Sequence, residues 1–230
     1  MKIVDIRDSD AMDLAVDAVH DDAIVVQLPT VFVLLARPTR EGAAQLDRSK
    51  TRLPGKNYGT AIGSLDLFLA QAHPGHLPQE FSTTQDFERM TGSFIRLRFR
   101  AADFDSPVMR RGTHQGVLLD GPHRELFRRL EASCVGLPPD EIWGGGNVAA
   151  PLCTSCNVSG DPNGSIVKLE RAIDFCRDRG VHLLVTCEDR VAELGSYPIL
   201  GYERDAVRVH RDGPGLDEFK RRIPARLRTW

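Results

Sequence analysis

The stretch Phe94-Ile95-Arg96-Leu97-Arg98-Phe99-Arg100 decides the fold. Apolar and basic residues alternate along it. That is the pattern of a strand with one face packed and one face wet, because successive side chains leave a strand on opposite sides. Such a strand has no place in an all-parallel sheet covered on both faces. Working outward, Ala23-Ile24-Val25-Val26-Gln27-Leu28 and Val31-Phe32-Val33-Leu34-Leu35 are short apolar runs parted by Pro29-Thr30, and they read as two buried strands. Further extended segments are predicted at 57–62, 108–111, 115–119, 151–155, 181–186 and 206–210. Helical periodicity predicts helices after a Ser9 or Asp10 cap, over 41–50, 64–72, 123–134 and 166–179. Leu53-Pro54-Gly55 and Ser159–Gly164 are breaker-rich turns. Strands and helices that alternate, with one half-wet strand among them, predict a single α/β domain built on a mixed sheet.

Composition bounds the rest. Of 230 residues, 41% are apolar and 27% charged, which excludes wholesale disorder, and 30 basic against 32 acidic side chains leave a net charge of −2. No apolar run approaches the roughly 20 residues that span a bilayer, and the N-terminus turns acidic at once. Five cysteines at irregular spacing argue against a disulfide framework. A globular protein of the cytosol is therefore expected, with no membrane partner. The charge is unevenly spread: residues 1–22 are rich in aspartate, whereas 214–230 form a basic C-terminal tail with Lys220, Arg221, Arg222, Arg226 and Arg228. Such segregation fits either an anion-binding face or two solvated surfaces.

Two constellations could carry chemistry. In Lys50-Thr51-Arg52 an extended backbone would turn both cations to one side, and Lys56 could fold back to join them. Two lysines and an arginine suit a polyphosphate or carboxylate, with the arginine as a bidentate fork. A basic helix C-terminus complementing the helix dipole is the other reading. In Thr154-Ser155-Cys156-Asn157-Val158-Ser159-Gly160, Ser155 and Asn157 share a face at a strand end, where open α/β sheets bind ligands; a plain polar turn would look the same. Cys153-x-x-Cys156 has half the spacing of a zinc site and no second half, so no metal is expected. His73 and His76 lie in a loop without partners at ligand spacing. The stripe Arg96, Arg98, Arg100 fits a nucleic-acid backbone track or a solvated sheet face equally well.

In order and separation, these stretches resemble the YrdC-like family, the threonylcarbamoyl-AMP synthases of tRNA modification. The resemblance runs from about Ala23 to Gly213. It rests on Leu28-Pro29-Thr30, Lys50-Thr51-Arg52, Thr91-Gly92-Ser93, Met109-Arg110 with His114, Ser155-Cys156-Asn157-Val158-Ser159-Gly160 and Arg211-Asp212-Gly213. It implies one YrdC-like domain over 1–213, an open twisted mixed sheet with flanking helices and a concave basic cavity, followed by the tail over 214–230. By the same resemblance Lys50 and Arg52 are the catalytic pair. Arg52, Lys56, Ser106, Asn157, Ser165 and Arg211 grip the nucleotide, and Thr30, Arg110 and Ser155 hold the amino acid. The family's Glu-Thr after Pro-Thr is missing here, and Ser196-Tyr197-Pro198 stands where a Ser-Thr normally follows a proline. Phe32 and Tyr197 thus occupy neighbourhoods of hydroxyl-bearing residues, and rings turned into the cavity would weaken the claim of threonine.

The implied activity is nucleotidyl transfer. An amino acid, L-threonine by default, is joined to bicarbonate, and the carbamate is adenylated by ATP with release of pyrophosphate. ATP with Mg2+ enters as substrate, and no tightly bound metal or organic cofactor is expected. A downstream transferase could take the product, and tRNA or double-stranded RNA is a further partner. The alternatives are a paralogue that uses a carbamoyl-adenylate with another acceptor and a non-catalytic RNA-binding module.

Overall fold

The computed structural model describes residues 1–53, 55–100, 103–187 and 194–230; Pro54 of the predicted turn lies outside them. In chain order the elements are β1 (Lys2–Asp5), α1 (Ala11–Asp21), β2 (Ile24–Gln27), β3 (Phe32–Ala36), α2 (Arg40–Lys50), β4 (Gly59–Ala61), α3 (Leu65–Ala70), α4 (Thr84–Glu88), β5 (Ser93–Arg98) and β6 (Thr113–Leu118). Then follow α5 (Gly121–Ser133), β7 (Leu152–Ser155), α6 (Leu169–Arg179), β8 (Leu183–Thr186), β9 (Ile199–Glu203), β10 (Ala206–Arg211) and α7 (Leu216–Arg222). One ten-stranded open sheet runs β1-β8-β2-β3-β7-β4-β6-β5-β9-β10. It is mixed, as the half-wet strand requires: β8 pairs in parallel with β1 and β2, whereas β3, β7 and β4 meet antiparallel.

Two cores cover the two faces. On one face Phe32, Leu34, Ile95, Leu97, Leu200 and Tyr202 pack with α2, α3, α4, α6 and α7. On the other Val33, Leu35, Phe94, Val117 and Ile199 join α1 and α5. Helix α1 lies against β8, β2 and β3, with α5 beside it. The face beyond them, over β7, β4, β6, β5 and β9, carries the cavity described below. The alternation in β5 is thus explained: Ile95 and Leu97 enter a core, while Phe94 and Arg96 line the cavity.

Several expectations need correction. Asp10 stands at the N-cap of α1, but its side chain makes no capping bond. Residues 108–111 form a turn and not a strand, because Arg111 and Gly112 take positive φ (50° and 69°) and reverse the chain into β6. Ile166 is not helical; its backbone bridges Phe32 N and Cys156 O before α6 starts at Leu169. The segment 214–230 is no free tail: Leu216, Phe219, Ile223 and Leu227 are buried in the main core, and Arg222 and Arg226 reach Arg89 O and Glu80. Strands β1 and β9 and helices α4 and α7 had no counterpart in the sequence reading. Among the described residues no helix is long and apolar enough to cross a membrane.

Candidate functional site

Helix α2 ends where the first constellation begins. Lys50 is its last residue, and Thr51 at the C-cap takes a left-handed conformation (φ 47°, ψ 59°). A β-branched residue there stores roughly 1–3 kcal/mol of strain. So Lys50 and Arg52 converge through a tight helix exit, not through the extended backbone expected from the sequence. Lys50 is only 2% exposed. Its ammonium donates to Ser155 O, to Asn157 O (2.9 Å) and to Asn157 Oδ1 (3.1 Å). Ser155 Oγ donates to the same Oδ1 (2.7 Å), and Ser159 N donates to Lys50 O (2.8 Å). The two sequence constellations are therefore one object: a lysine that fastens the Ser155–Ser159 loop. Burial, then the neighbouring Arg52 and Lys56 charges, lower the Lys50 pKa to about 7, while three accepting oxygens favour the ammonium form.

Arg52 donates to Asn57 O (2.8 Å) and weakly to Thr154 Oγ1 (3.4 Å), and its guanidinium lies 4.0 Å from the Tyr58 ring centre. Tyr58 is pinned in turn by Asp47 Oδ1 (2.5 Å). Asn57 ties this loop to the next by donating to Ser106 O (2.5 Å) and Met109 O (2.8 Å). That second loop is set by His114, whose Nδ1 donates to Val108 O (2.8 Å) while Nε2 accepts from Thr60 Oγ1 (3.0 Å). Burial lowers its pKa to about 4, so the ring stays neutral and structural. Its place in the motif is thereby explained: it holds the turn that presents Arg110. At the far wall Arg211 donates through Nε and a terminal nitrogen to Tyr197 O (3.0 and 2.6 Å) and lies over Phe94 (5.3 Å). Gly213 is required beside it, since a Cβ would fall 2.5 Å from Pro198 N and 2.6 Å from Ser196 O.

These elements enclose a cavity of about 450 Å³. Lys50, Arg52, Lys56, Arg96, Arg110 and Arg211 line it, and no aspartate or glutamate does among the described residues. The side chains of Arg110 and Lys56 have no hydrogen-bond or ion-pair partner among the described residues, whereas Arg96 donates twice to Thr113 Oγ1 (2.9 and 2.7 Å). Six basic side chains with no carboxylate among the described lining residues make a site suited to anions, in which Lys56 and the Arg110 fork are uncommitted. Its floor is apolar: Leu28, Val31, Val33, Phe94, Cys153 and Ile199 are the outer edge of the core shared with α1 and α5.

Of the residues picked from sequence, Lys50, Arg52, Lys56, Arg110, Ser155, Asn157 and Arg211 are brought together. Three are not among the lining. Thr30 spends its hydroxyl on Gly195 O (2.8 Å), and Ser165 Oγ pairs with Ser196 Oγ (2.8 Å). Ser106 Oγ donates to Ile142 O (2.7 Å) and accepts from Met109 N (3.0 Å), beside an adjoining, more open groove. Phe32 faces the core, one position out of step with Val31 and Val33, so of the two suspected rings only Tyr197 reaches the cavity. Arg96 and His210 line it too, and their position depends on sheet order, which no local pattern reveals. The arginine stripe is divided: Arg98 pairs with Asp103, and Arg100 Nε donates to Ala72 O (3.1 Å). Cys153 belongs to the cavity-side core and Cys156 to the opposite one. No group of three or more His, Cys, Asp or Glu suited to a metal occurs among the described residues.

An open mixed sheet with a basic cavity over its central strands, and no carboxylate among the cavity's described lining residues, defines an α/β domain with a site suited to anions. No protein-family model matches the sequence, and no curated protein matches it. Solved structures do. P. abyssi Sua5 complexed with L-threonine superposes with a TM-score of 0.69 at 14% identity, over 99% of this chain and 62% of that one. E. coli YciO gives 0.58 at 15% identity, over 92% and 93%. T. kodakarensis HypF gives 0.61 at 17% identity, over 90% and 24%. The chain has the YrdC-like fold and spans about three fifths of the length of Sua5.

Proposed function

We propose that this protein is a nucleotidyltransferase that joins bicarbonate to an amino acid and adenylates the resulting carbamate with ATP, releasing pyrophosphate. The observation that carries the reading is the cavity wall of six basic side chains, with no carboxylate among its described residues, fastened to the Ser155–Asn157 loop through Lys50. A triphosphate brings several negative charges, and neutralising them where charge builds up at the α-phosphate is the main protein contribution to such a transfer. The unpartnered Lys56 and Arg110 and the fork of Arg52 would take phosphate and carboxylate oxygens. Arg211 and Asn157 would hold the nucleotide beyond them. The carbamate oxygen then attacks the α-phosphorus in line and pyrophosphate leaves.

L-threonine is the first acceptor to test, supported by the threonine complex of the Sua5 neighbour. In this reading the product serves tRNA modification through a downstream transferase. A second reading, with another acceptor, is favoured by the apolar floor and by Tyr197 in the cavity. A site with few hydroxyl partners discriminates poorly for a substrate hydroxyl. The test is pyrophosphate release from ATP and bicarbonate with threonine, serine, glycine and small amines at matched concentration. Strong selection for threonine favours the first reading, equal rates the second, and no release with any amine overturns both.

A further inference from the structure

Strand β10 pairs with β9 in regular register up to Val209 opposite Leu200, and then Arg211 stands opposite Ile199. His210 is the extra residue of a β-bulge. Bulges re-aim side chains and are enriched beside active sites. Here the bulge lets two consecutive residues, His210 and Arg211, both line the cavity, which a regular strand would forbid. The imidazole rests on Gly201, where an added Cβ would lie 2.3 Å from Nε2 and 2.7 Å from Cδ2, so the glycine makes room for the ring. His210 also borders a second groove, along β9 and β10, together with Arg96, Arg110 and Thr113. It therefore stands at the mouth shared with the arginine best placed to hold an acceptor carboxylate.

The chemistry needs a base there. An amino acid enters as an ammonium ion, which has no lone pair to attack carbon. Among the described lining residues there is no carboxylate, Lys50 is fully engaged, and burial pushes the Cys153 thiol up to about 12. His210 carries the one imidazole among the described lining residues, and its ring has no hydrogen-bond partner among the described residues. We propose that His210 is the general base that deprotonates the acceptor amine before carbamate formation.

The inference rests on the carbamoyl-adenylate reading, and its steps balance. The ammonium N–H bond breaks and the proton passes to a ring nitrogen of His210. The imidazolium returns it to the hydroxyl of bicarbonate, whose C–OH bond breaks to give water and carbon dioxide. The free amine then forms the N–C bond, a C=O pair moves onto oxygen, and the surplus nitrogen proton leaves to solvent. The groups around the ring suit the task. His210 is exposed as a residue, yet partial desolvation of its ring first, then Arg96 on β5 and Arg208 on β10, lower its proton affinity, against Glu203 on β9, which favours the neutral form that can accept a proton.

The test compares wild type, His210→Gln and His210→Ala for ATP affinity by calorimetry and for pyrophosphate release with bicarbonate and L-threonine or glycine across pH. Expected are ATP affinities within about twofold of wild type and a loss of kcat/KM for the amine of about 100-fold. Loss of the acid limb of the pH profile and partial rescue by added imidazole are expected as well. Unchanged turnover, or a loss that is constant across pH and not rescued, overturns the assignment while leaving the parent reading intact. Wild type that binds ATP but releases no pyrophosphate with any amine overturns the parent reading and this inference with it.

Discussion

Replacing Lys50 by methionine separates a loop fastener from a simple phosphate ligand. The substitution keeps the stem and deletes three charge-assisted donations, to Ser155 O, Asn157 O and Asn157 Oδ1. Each is worth roughly 1.5–3 kcal/mol, but the buried ammonium itself costs several kcal/mol in desolvation. The two terms largely offset, so global stability should change by no more than about 2 kcal/mol. The loss falls on the loop instead. Asn157 keeps its donation to Val158 O (2.9 Å) and Ser159 N keeps Lys50 O, so the loop shifts without detaching. ATP affinity should fall about 30-fold, equivalent to about 2 kcal/mol. Urea denaturation and calorimetric titration with ATP measure both quantities. Unimpaired ATP binding in a folded Lys50→Met protein would refute the reasoning, as would a stability loss so large that no folded protein remains.

Three other outcomes follow from the same geometry. Stability should rise with pH: the unfolded chain holds the Lys50 proton up to its ordinary 10.5 while the folded chain releases it near 7, so between these values the unfolded state binds more protons. From pH 7 to 9 the gain should be roughly 2 kcal/mol in wild type and absent in Lys50→Met, read from denaturation midpoints. Gly213→Ala should cost about 2 kcal/mol and weaken ATP binding, because its Cβ would press on the backbone of Ser196 and Pro198 and displace Tyr197 O from Arg211; calorimetry and denaturation check both. Binding of tRNA or duplex RNA should be weak and vanish as salt rises, since Arg96, Arg98 and Arg100 are each already engaged; retention after a rise of about tenfold in salt would contradict this.

The sequence displayed the centre of the sheet because buried strands and one half-wet strand leave strong period-2 and apolar-run signals. Strands β2, β3, β5, β6, β7 and β8 were legible for that reason. Strand β9 was not: Ile199-Leu200-Gly201-Tyr202-Glu203 is short and broken by a glycine, and that glycine is there to receive His210. Helix α7 was hidden by its charges, with Asp217, Glu218, Lys220, Arg221 and Arg222 outweighing two buried residues. At the site the Lys50-x-Arg52 and Ser155-x-Asn157 pairs were visible as spacings, but their union through one ammonium was not. Arg96 was visible only as one of the basic stripe, and neither it nor His210 could be assigned to the cavity locally, because β5, β9 and β10 become neighbours only in the assembled sheet. Thr30, Ser106 and Ser165 carry hydroxyls suited to a ligand, yet nearby backbone or side-chain oxygens claim them.

The most direct test of the account is incubation with 13C-bicarbonate, ATP and L-threonine, with serine, glycine and small amines in parallel, followed by mass spectrometry of the adenylate and assay of pyrophosphate. The account predicts an amine-carbamoyl adenylate that carries one labelled carbon and forms in equal amount with pyrophosphate. An adenylate without label, hydrolysis of ATP to ADP and phosphate, or no product with any amine would contradict it.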